Sequence, residues 1–478
     1  MMNEEINGQK RLLIVGAGRC GELILEEIKQ KKLHYNPIGF VDDNQQIIGK
    51  NVLGLPVLDN IDNIVRIIKE HDIDEILIAI PSLSGESLKR VIDKCKETKK
   101  QTKIVPALFD ILRYMETEDI EKKKTVDLLP GKIRNINYED IVKRSPPAVD
   151  IEGVKKVIEG KTVMITGAAG SIGSVVSAQV IKFSPKRLIL IDMSEYGIHK
   201  LLKNMKGENV EIILGDIKNE KKMEKIIKEK EVNIIINAAA YKHIDIVETN
   251  PEEAVMNNVL GTYNLLKLAD KYKIDQLVLI STDKAVEPVS AMGSTKRICE
   301  LMVQHMPKNK TRFSAVRFGN VIGSSGSLFE IWGNQIKEGR LDVTDANMTR
   351  YFMLTQEAAV LTLETLVFPE ESAIFTFDMG EPFKIMDLAK KWIEYNGFEV
   401  NKDIKINIIG IRKGERLHEK LVHNHEGLIR TKNERISMIK QNKSVKKEGF
   451  FGKIEELIDC AKKNDEENLR RIMKEIIE

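Results

Sequence analysis

One short stretch of the chain carries the residue types best suited to proton transfer. Its apolar start, residues 277–280, predicts a buried parallel strand. The four residues that follow carry two hydroxyls, a carboxyl and an amine: Ser281, Thr282, Asp283 and Lys284. A helix is predicted next, and Met292 and Lys296 share one of its faces because they are four residues apart. Side chains able to exchange protons are therefore expected at the end of the strand and on the next helix.

A glycine-rich turn lies upstream of this stretch, in a setting suited to binding phosphate. Strand 162–166 leads into the turn, and helix 174–182 follows it. Glycines at G-x-x-G-x-x-G spacing let the backbone approach a phosphate, and the N-terminus of the helix favours the anion. The residues predicted to contact a cofactor here are Gly167, Ala169, Gly170, Ser171, Ile172 and Gly173.

Acidic and small residues follow the next predicted strands. Strand 187–191 ends at Asp192, whose carboxylate can accept hydrogen bonds from the adenosine ribose and would repel a 2′-phosphate. NAD is therefore favoured over NADP as the cofactor. Asp216 follows strand 210–214. Strand 233–236 leads to small residues that let its end approach a cofactor: Ala238, Ala239 and Ala240.

A second glycine fingerprint lies near the N-terminus. Strand 11–15 leads into a G-x-G-x-x-G turn, and strand 37–41 ends in an acidic residue near the position expected of a ribose-binding acid. The candidate nucleotide contacts are Gly16, Gly18, Gly21 and Asp42. Two interpretations remain open: a nucleotide site with an unspecified ligand, or a Rossmann-type scaffold whose glycines serve only the tight turn.

The alternation of strands and helices defines the expected fold class, α/β. We predict two Rossmann-like, doubly wound parallel-sheet units in tandem, the second with a small C-terminal substrate-binding part. The expected order is an N-terminal nucleotide-binding domain at 1–117, a linker at 118–155, a dehydrogenase-like domain at 156–440 and C-terminal packing helices at 441–478.

Composition excludes several classes of protein. The 478 residues carry 75 Lys+Arg against 72 Asp+Glu, so a nucleic-acid binder with a basic face is not expected. The four cysteines are scattered without metal-ligand spacing, which predicts reduced thiols and no metal site. The polar N-terminus has no signal-peptide core, and no apolar run approaches the roughly 18 residues needed to span a bilayer. We therefore expect a cytoplasmic protein with no membrane span in this chain.

Long runs of the sequence resemble a known family, the bacterial nucleotide-sugar 4,6-dehydratases of the extended short-chain dehydrogenase/reductase superfamily. The matching runs are VMITGAAGSIGS, NAAAYKHIDIVE, NNVLGT, STDKAVEPVSAMGSTK, VRFGNVIGSSGS, MTRYFM and FDMGEPFKIMDLA. The likeness is greatest to the large form that acts on UDP-N-acetylglucosamine. Where the superfamily has Tyr in a Tyr-x-x-x-Lys pair, this chain has Met292, which is itself a mark of the large form. Members usually begin with transmembrane helices, so a longer form would lie at the cytoplasmic face of the inner membrane.

The resemblance implies a role for each residue of the central stretch. NAD+ oxidises carbon 4 of the sugar, water leaves across carbons 5 and 6, and the hydride returns to carbon 6. Lys296 is expected to position the cofactor and Thr282 to hydrogen-bond the 4-hydroxyl. Asp283 is expected to protonate the leaving 6-hydroxyl, and Lys284 to remove the proton on carbon 5. Met292 cannot take the 4-hydroxyl proton, which leaves a water, Asp283 or Lys284 for that step.

The resemblance also implies contacts with the rest of the cofactor and with a UDP-sugar substrate. Further cofactor contacts are Ser194, Asp216 and Ile217. Candidate substrate contacts are Tyr241, His243, Asn258, Asn320, Arg350, Arg412 and Glu415. A structural role in the core is the alternative for His243. A homo-oligomer is expected.

Two other functions remain open at this point. A nucleotide-sugar 4-epimerase, or a dehydratase that also epimerises carbon 5, uses the same fold. Asp283 next to Lys284 favours elimination over simple epimerisation. A non-catalytic nucleotide-sugar sensor is the alternative of another class, in which Met292 would reflect loss of activity.

Overall fold

The computed structural model describes two compact units, Met1–Pro146 and Pro147–Glu478. The described residues are 9–30, 35–80, 85–105, 134–135, 147–205, 207–307, 309–324, 326–370, 372–396, 398–441 and 449–478. Most of the predicted linker, 118–155, lies outside them. Among the described residues, no helix combines the length and apolar character that a membrane crossing requires.

The N-terminal unit is a mostly parallel sheet with its strands in the order β3-β4-β2-β1-β5-β6-β7. The strands are β1 Lys10–Val15, β2 Tyr35–Val41, β3 Asn51–Val52, β4 Leu55–Asp59, β5 Glu75–Ile78, β6 Gln101–Ile104 and β7 Arg134–Asn135. The helices are α1 Arg19–Gln30, α2 Ile64–Glu70 and α3 Gly85–Glu97, with a short 3-10 turn at Ile61–Asn63. β1 pairs in parallel with both β2 and β5, and its apolar residues are fully buried. The predicted Rossmann-like arrangement of this unit is confirmed.

The second unit is built on a larger sheet in the order β10-β9-β8-β11-β12-β13-β18-β22-β21. Its strands are β8 Thr162–Thr166, β9 Arg187–Asp192, β10 Val210–Leu214, β11 Ile234–Asn237, β12 Gln276–Ile280, β13 Arg312–Arg317, β18 Ala373–Phe377, β21 Glu426–Arg430 and β22 Ile436–Gln441. All neighbours from β10 to β18 are parallel, whereas β22 and β21 are antiparallel additions. The continuous apolar runs of the central strands suit a sheet that is covered on both faces.

Helices flank this sheet, and a smaller part with short paired strands follows it. The helices are α4 Ile151–Ile158, α5 Ser171–Val180, α6 Glu195–Asn204, α7 Glu220–Glu229, α8 Ile244–Thr249, α9 Pro251–Ala254, α10 Gly261–Lys271, α11 Ala291–His305, α12 Leu328–Gln335, α13 Thr355–Glu364, α14 Ile385–Tyr395, α15 Phe450–Lys462 and α16 Glu466–Ile477. The short strand pairs are β14 Asn320–Ile322 with β17 Phe352–Leu354, β15 Arg340–Val343 with β20 Lys405–Ile408, and β16 Thr349–Arg350 with β19 Phe383–Lys384.

Polar side chains set the start of the helices that matter for the site. Ser194 caps α6 by accepting the N–H of Gly197, and Ser290 caps α11 by accepting that of Gly293. α5 begins at Ser171, three residues earlier than the sequence predicts, because Gly170 already has the extended conformation of a cap. The end of the glycine motif therefore lies inside the first turn of α5.

Candidate active site

The turn between β8 and α5 accepts only glycine at two positions. Gly167 has a φ of +67°, and a Cβ added there would lie 2.5 Å from the backbone nitrogen of Ala239. A Cβ added at Gly173 would lie 2.1 Å from the carbonyl oxygen of Gly167. The turn is thus pressed against the end of β11, and the N-terminus of α5 opens beside it.

Asp192 at the end of β9 fixes this turn. Its carboxylate accepts the N–H of Ala169 at 2.9 Å and the N–H of Ser194 at 2.9 Å. Asp216, after β10, accepts the N–H of Lys218 at 2.8 Å. Ile217 is buried against Gly261, where an added Cβ would lie 2.4 Å from its side chain. These residues shape the backbone of the predicted cofactor region.

Asn258 holds the chain that leaves β11. Its amide accepts the N–H of Tyr241 at 2.8 Å and donates to the Tyr241 carbonyl at 3.1 Å. It also donates to the hydroxyl of Thr295 on α11 at 3.0 Å. Asn258 lies in a π-helical turn, Val255–Leu260, and is 1% exposed. The sequence predicted that Asn258 contacts the substrate. In the structure its side chain forms hydrogen bonds with other residues of the protein.

Side chains after β12 form a compact polar cluster. Thr282 donates to Asp283 Oδ1 at 2.9 Å, and Lys284 Nζ donates to the same oxygen at 3.1 Å and to Asn320 Oδ1 at 2.9 Å. Asp283 is completely buried, and its Oδ2 has no hydrogen-bond partner among the described residues. That oxygen lies beside Gly319, where an added Cβ would be 3.1 Å away. One carboxylate therefore links a hydroxyl and an amine.

Met292 and Lys296 lie on the first turns of α11, as predicted from their spacing. They are 3% and 5% exposed, respectively. Burial lowers the pKa of Lys296 from its ordinary value, while the neighbouring Cys299 and Glu300 act in the opposite direction.

A cavity of about 840 Å³ brings the glycine turn and the polar cluster together. Predicted site residues on its wall are Gly170, Ser171, Ile172, Gly173, Ala238, Ala240, Tyr241, His243, Thr282, Lys284, Met292, Lys296 and Asn320. Asp283 lies behind this wall, in contact with Thr282 and Lys284. The residues that the sequence singled out for chemistry therefore surround one space.

Four predicted substrate contacts are not among the described residues that line the cavity: the buried Asn258 described above, and Arg350, Arg412 and Glu415. Arg350 is buried and donates to the carbonyls of Thr349 and Leu417, at 2.8 and 3.2 Å. The backbone N–H of Arg412 donates to Glu415 Oε2 at 3.4 Å, and the backbone N–H of Glu415 donates to the Arg412 carbonyl at 3.1 Å. Arg350 therefore hydrogen-bonds to the segment 412–419, and Arg412 and Glu415 hydrogen-bond each other within it.

Two residues near the cluster, Lys242 and Glu419, were not predicted from the sequence. Lys242 lines the cavity between the predicted contacts Tyr241 and His243, and its place in that motif was an available signal. Glu419 lies 3.9 Å from both Lys284 Nζ and Arg350 Nε, and its side chain is 4% exposed. No local sequence pattern predicts that Lys284 lies near a carboxylate so distant from it in the sequence.

The glycine turn of the N-terminal unit has its own geometry. Gly16 has a φ of +103°, and an added Cβ would lie 2.3 Å from the Ile80 side chain. A Cβ added at Gly21 would lie 2.1 Å from the Gly16 carbonyl oxygen, whereas one at Gly18 would meet nothing within 4 Å. Asp42 accepts the N–H of Ala17 at 2.7 Å.

Known proteins are similar to both units. The family described as "polysaccharide biosynthesis protein" matches residues 163–441, and the family described as "CoA-binding domain" matches residues 2–106. The probable polysaccharide biosynthesis protein EpsC of Bacillus subtilis is 37% identical over 89% of this chain and 71% of its own length. A crystal structure of Pen from Bacillus thuringiensis is similar with a TM-score of 0.56 and 30% identity, covering 61% of this chain and 90% of that one.

Relatives with named activities fall into two groups. A UDP-glucose 4-epimerase of Rickettsia bellii is 31% identical over 56% of this chain and 79% of its own length. A UDP-N-acetylglucosamine 4,6-dehydratase (inverting) of Campylobacter jejuni is 28% identical over 56% of this chain and 78% of its own length. The family match covers more than half of the chain. The chain therefore belongs to the polysaccharide biosynthesis protein family, in which nucleotide-sugar dehydratases and epimerases share one fold.

Proposed function

We propose that the second unit is an NAD-dependent UDP-N-acetylglucosamine 4,6-dehydratase for bacterial polysaccharide or glycan biosynthesis. The observation that carries this proposal is one cavity that is lined both by the glycine turn and by Thr282, Lys284, Met292 and Lys296. The naming of the C. jejuni relative supports the same substrate.

The residues present are suited to a dinucleotide. An added Cβ at Gly167 or Gly173 would strike backbone, so the turn stays tight, and the residues at the N-terminus of α5 that line the cavity, Ser171 and Ile172, would meet a diphosphate. Asp192 stands at the position suited to the ribose, and its negative charge favours NAD over NADP. Lys296 on the cavity wall would hold the nicotinamide ribose. When bound, NAD+ would accept a hydride from carbon 4 of the sugar and return it to carbon 6.

The chain's own residues move the protons. Thr282 hydrogen-bonds the 4-hydroxyl of the sugar and, because it donates to Asp283, gives the released proton a path to that carboxylate. Asp283, behind the cavity wall, then returns the proton through the Thr282 hydroxyl to the 6-hydroxyl, which leaves as water. Lys284, taking part as the neutral amine, removes the proton from carbon 5 and returns it there after the hydride has reached carbon 6. Met292 adds no proton donor or acceptor to the wall.

The second candidate is a UDP-sugar 4-epimerase, which the R. bellii relative favours. An epimerase needs oxidation at carbon 4 but no acid and base at carbons 5 and 6. Asp283 contacts both Thr282 and Lys284, and a carboxyl next to an amine supports elimination over epimerisation.

Mass spectrometry of the nucleotide sugar tests the proposal. The protein is incubated with UDP-N-acetylglucosamine, with and without added NAD+. Loss of one water without accumulation of NADH is expected. An isomer of unchanged mass would establish the epimerase instead. Asp283→Asn should retain NAD binding and lose dehydration, whereas equal activity of this variant would refute the proton path.

A further inference from the structure

Two helices beyond the matched family segment pack on the helix that carries Met292 and Lys296. The family match ends at residue 441, and α15 and α16 follow it. α16 packs against α11, and α15 packs against the π-helical turn before α10. Their apolar faces join the same core as α11 through Ile454, Leu457, Ile458, Leu469, Ile472 and Met473. The tail is therefore part of the support of the catalytic helix.

Glu248 on α8 fixes the beginning of α11. Its carboxylate accepts the N–H of Ala291, the first residue of the helix. The hydroxyl of Ser290 accepts the N–H of Gly293 at 3.0 Å. These two bonds satisfy two of the free N–H groups that every helix start leaves. Met292 lies between the two bonded residues, so Glu248 sets the position of this part of the cavity wall.

Arg470 on α16 in turn holds Glu248. Its Nη2 donates to the Glu248 carbonyl at 2.9 Å, and its Nη1 lies 3.6 Å from Glu248 Oε2. Lys413 reaches the same carboxylate only at 4.0 Å and is 81% exposed. At the far end of α11, Phe450 stacks on His305 with ring centres 3.7 Å apart. The tail thus contacts the C-terminal end of α11 directly, and it reaches the N-terminal end through Glu248.

We propose that Arg470 is a positioning residue for the active site. It orients Glu248, and through Glu248 it sets the N-terminus of α11 and the placement of Met292 and Lys296 on the cavity wall. The proposal rests on the proposed function insofar as Lys296 acts beside the nicotinamide. Because reaction rates depend steeply on the placement of reacting groups, a small shift of α11 lowers the rate more than the affinity for substrate.

Three variants on one helix test this role. Arg470→Gln removes the ion pair, Arg470→Lys keeps a charge, and Arg471→Gln is the matched control because Arg471 bonds only Glu475 and Asn468 among the contacts described for it. We expect Arg470→Gln to lower kcat by about three- to tenfold with little change in KM, as fits a misplaced catalytic group. Arg470→Lys should recover part of the loss, and Arg471→Gln should retain the parent rate.

Hydrogen exchange gives a readout that does not depend on the substrate. Amides in residues 288–297 should exchange faster in Arg470→Gln than in Arg471→Gln. Parent-like kcat and exchange in Arg470→Gln, or equal losses in both variants, would overturn the proposal. If the parent protein fails to act on UDP-N-acetylglucosamine, the proposed function fails, and exchange alone still decides the role of Arg470.

A double-mutant cycle separates the Arg470–Glu248 contact from general support by the tail. Glu248→Gln keeps an oxygen for the Ala291 N–H but loses the ion pair. In that background Arg470→Gln should have a smaller further effect on exchange and kcat than in the parent, because only its hydrogen bond to the Glu248 carbonyl remains to be lost. Fully additive effects would contradict the proposal.

Discussion

In the N-terminal unit, Asp42 accepts the N–H of Ala17, and in the second unit Asp192 accepts that of Ala169. Each carboxylate stands at the end of the strand that follows the glycine turn, and each secures that turn. The last glycine of each motif also lies equally close to the carbonyl oxygen of the first, since an added Cβ would be 2.1 Å away in both. Similar motifs therefore form the same local arrangement in both units, in which a carboxylate accepts a backbone N–H of the glycine turn.

The surroundings of the two turns differ. The Ile80 side chain packs against Gly16, whereas backbone at Ala238 and Ala239 packs against Gly167 and leaves space beyond it. In the second unit the sheet continues through β12 and β13, whose ends carry Thr282 to Lys284 and lead to Asn320. The glycine motif thus determines a turn, and the strands that follow determine whether chemistry is placed beside it.

The largest expected effect comes from adding one methyl group to Gly167, the first glycine of the motif in the second unit. Gly167→Ala places a Cβ 2.5 Å from backbone at a φ of +67°, so the turn must move. We expect NAD affinity and turnover to fall by about 100-fold or more, as a ligand site formed by backbone amides is displaced. Turnover and NAD binding by fluorescence measure this loss.

Gly16→Ala is the matched variant in the N-terminal unit. Its Cβ meets the Ile80 side chain, so it should lower the stability of that unit while leaving NAD affinity of the second unit within about twofold. A comparable loss of turnover in Gly16→Ala would mean that the two turns serve one activity, and the contrast between them would be lost.

The two units also differ in their buried charged residues, and this difference predicts how the stability of each unit depends on acidic pH. In the second unit Glu300, Arg317 and Glu426 are fully buried together, whereas the buried Glu75 of the N-terminal unit pairs with the half-exposed Lys10. Burial would raise the pKa of Glu300, but the Arg317 guanidinium and further partners hold it at about 2. The stability that Glu300 contributes is therefore lost only as the pH falls from about 4.5 toward 2.

His423, beside this cluster, is expected to change the stability of the second unit at a less acidic pH than Glu300 does. Burial, and then the charges of Arg297 and Arg317, lower its pKa to about 4, while Glu426 opposes the shift. The unfolded chain takes up a proton near pH 6.5 and the folded chain only near pH 4, so the free energy of unfolding falls as the pH drops between these values. A shift of this size corresponds to about 3 kcal/mol.

Denaturant unfolding of the second unit between pH 7 and pH 4 measures this effect. His423→Asn keeps an acceptor for the Glu287 N–H, which the parent ring nitrogen accepts at 3.2 Å. The variant should lose most of the decline between pH 6.5 and 4, whereas His199→Asn, an exposed control on α6, should retain it. An unchanged decline in His423→Asn would show that other groups cause it.

Local patterns predicted the elements and the turn chemistry of this protein. Both glycine turns, the acid after each second strand and the shared face of Met292 and Lys296 follow from spacing of a few residues, and the predicted α/β fold class is confirmed. The resemblance was equally reliable for the family, which the match to residues 163–441 confirms.

Contacts between distant parts of the chain were not predictable in the same way. Asn258 was expected to face substrate, but folding places its amide against the backbone of Tyr241. Arg350 was a candidate substrate contact, and in the structure two backbone carbonyls and Glu419 lie beside its guanidinium. Such hydrogen-bond partners depend on how separate helices and strands pack together. The periodicity of a single sequence does not predict that packing.

The smallest expected effect concerns the two acids that secure the turns. Asp192→Asn keeps one acceptor oxygen for the backbone but removes the negative charge near the expected ribose. We expect NAD affinity to fall by about tenfold and NADP affinity to rise, because a 2′-phosphate is no longer repelled. Isothermal titration with each nucleotide measures both changes.

Asp42→Asn is the control with the same local role, since Asp42 also accepts the N–H of Asn44, as Asp192 accepts that of Ser194. It should change the stability of the N-terminal unit by about 1 kcal/mol and leave nucleotide selection by the second unit unaltered. If both variants altered the choice between NAD and NADP, selection would not reside at Asp192. If neither did, Asp192 would serve the turn alone, and the two acids would be equivalent in function as well as in geometry.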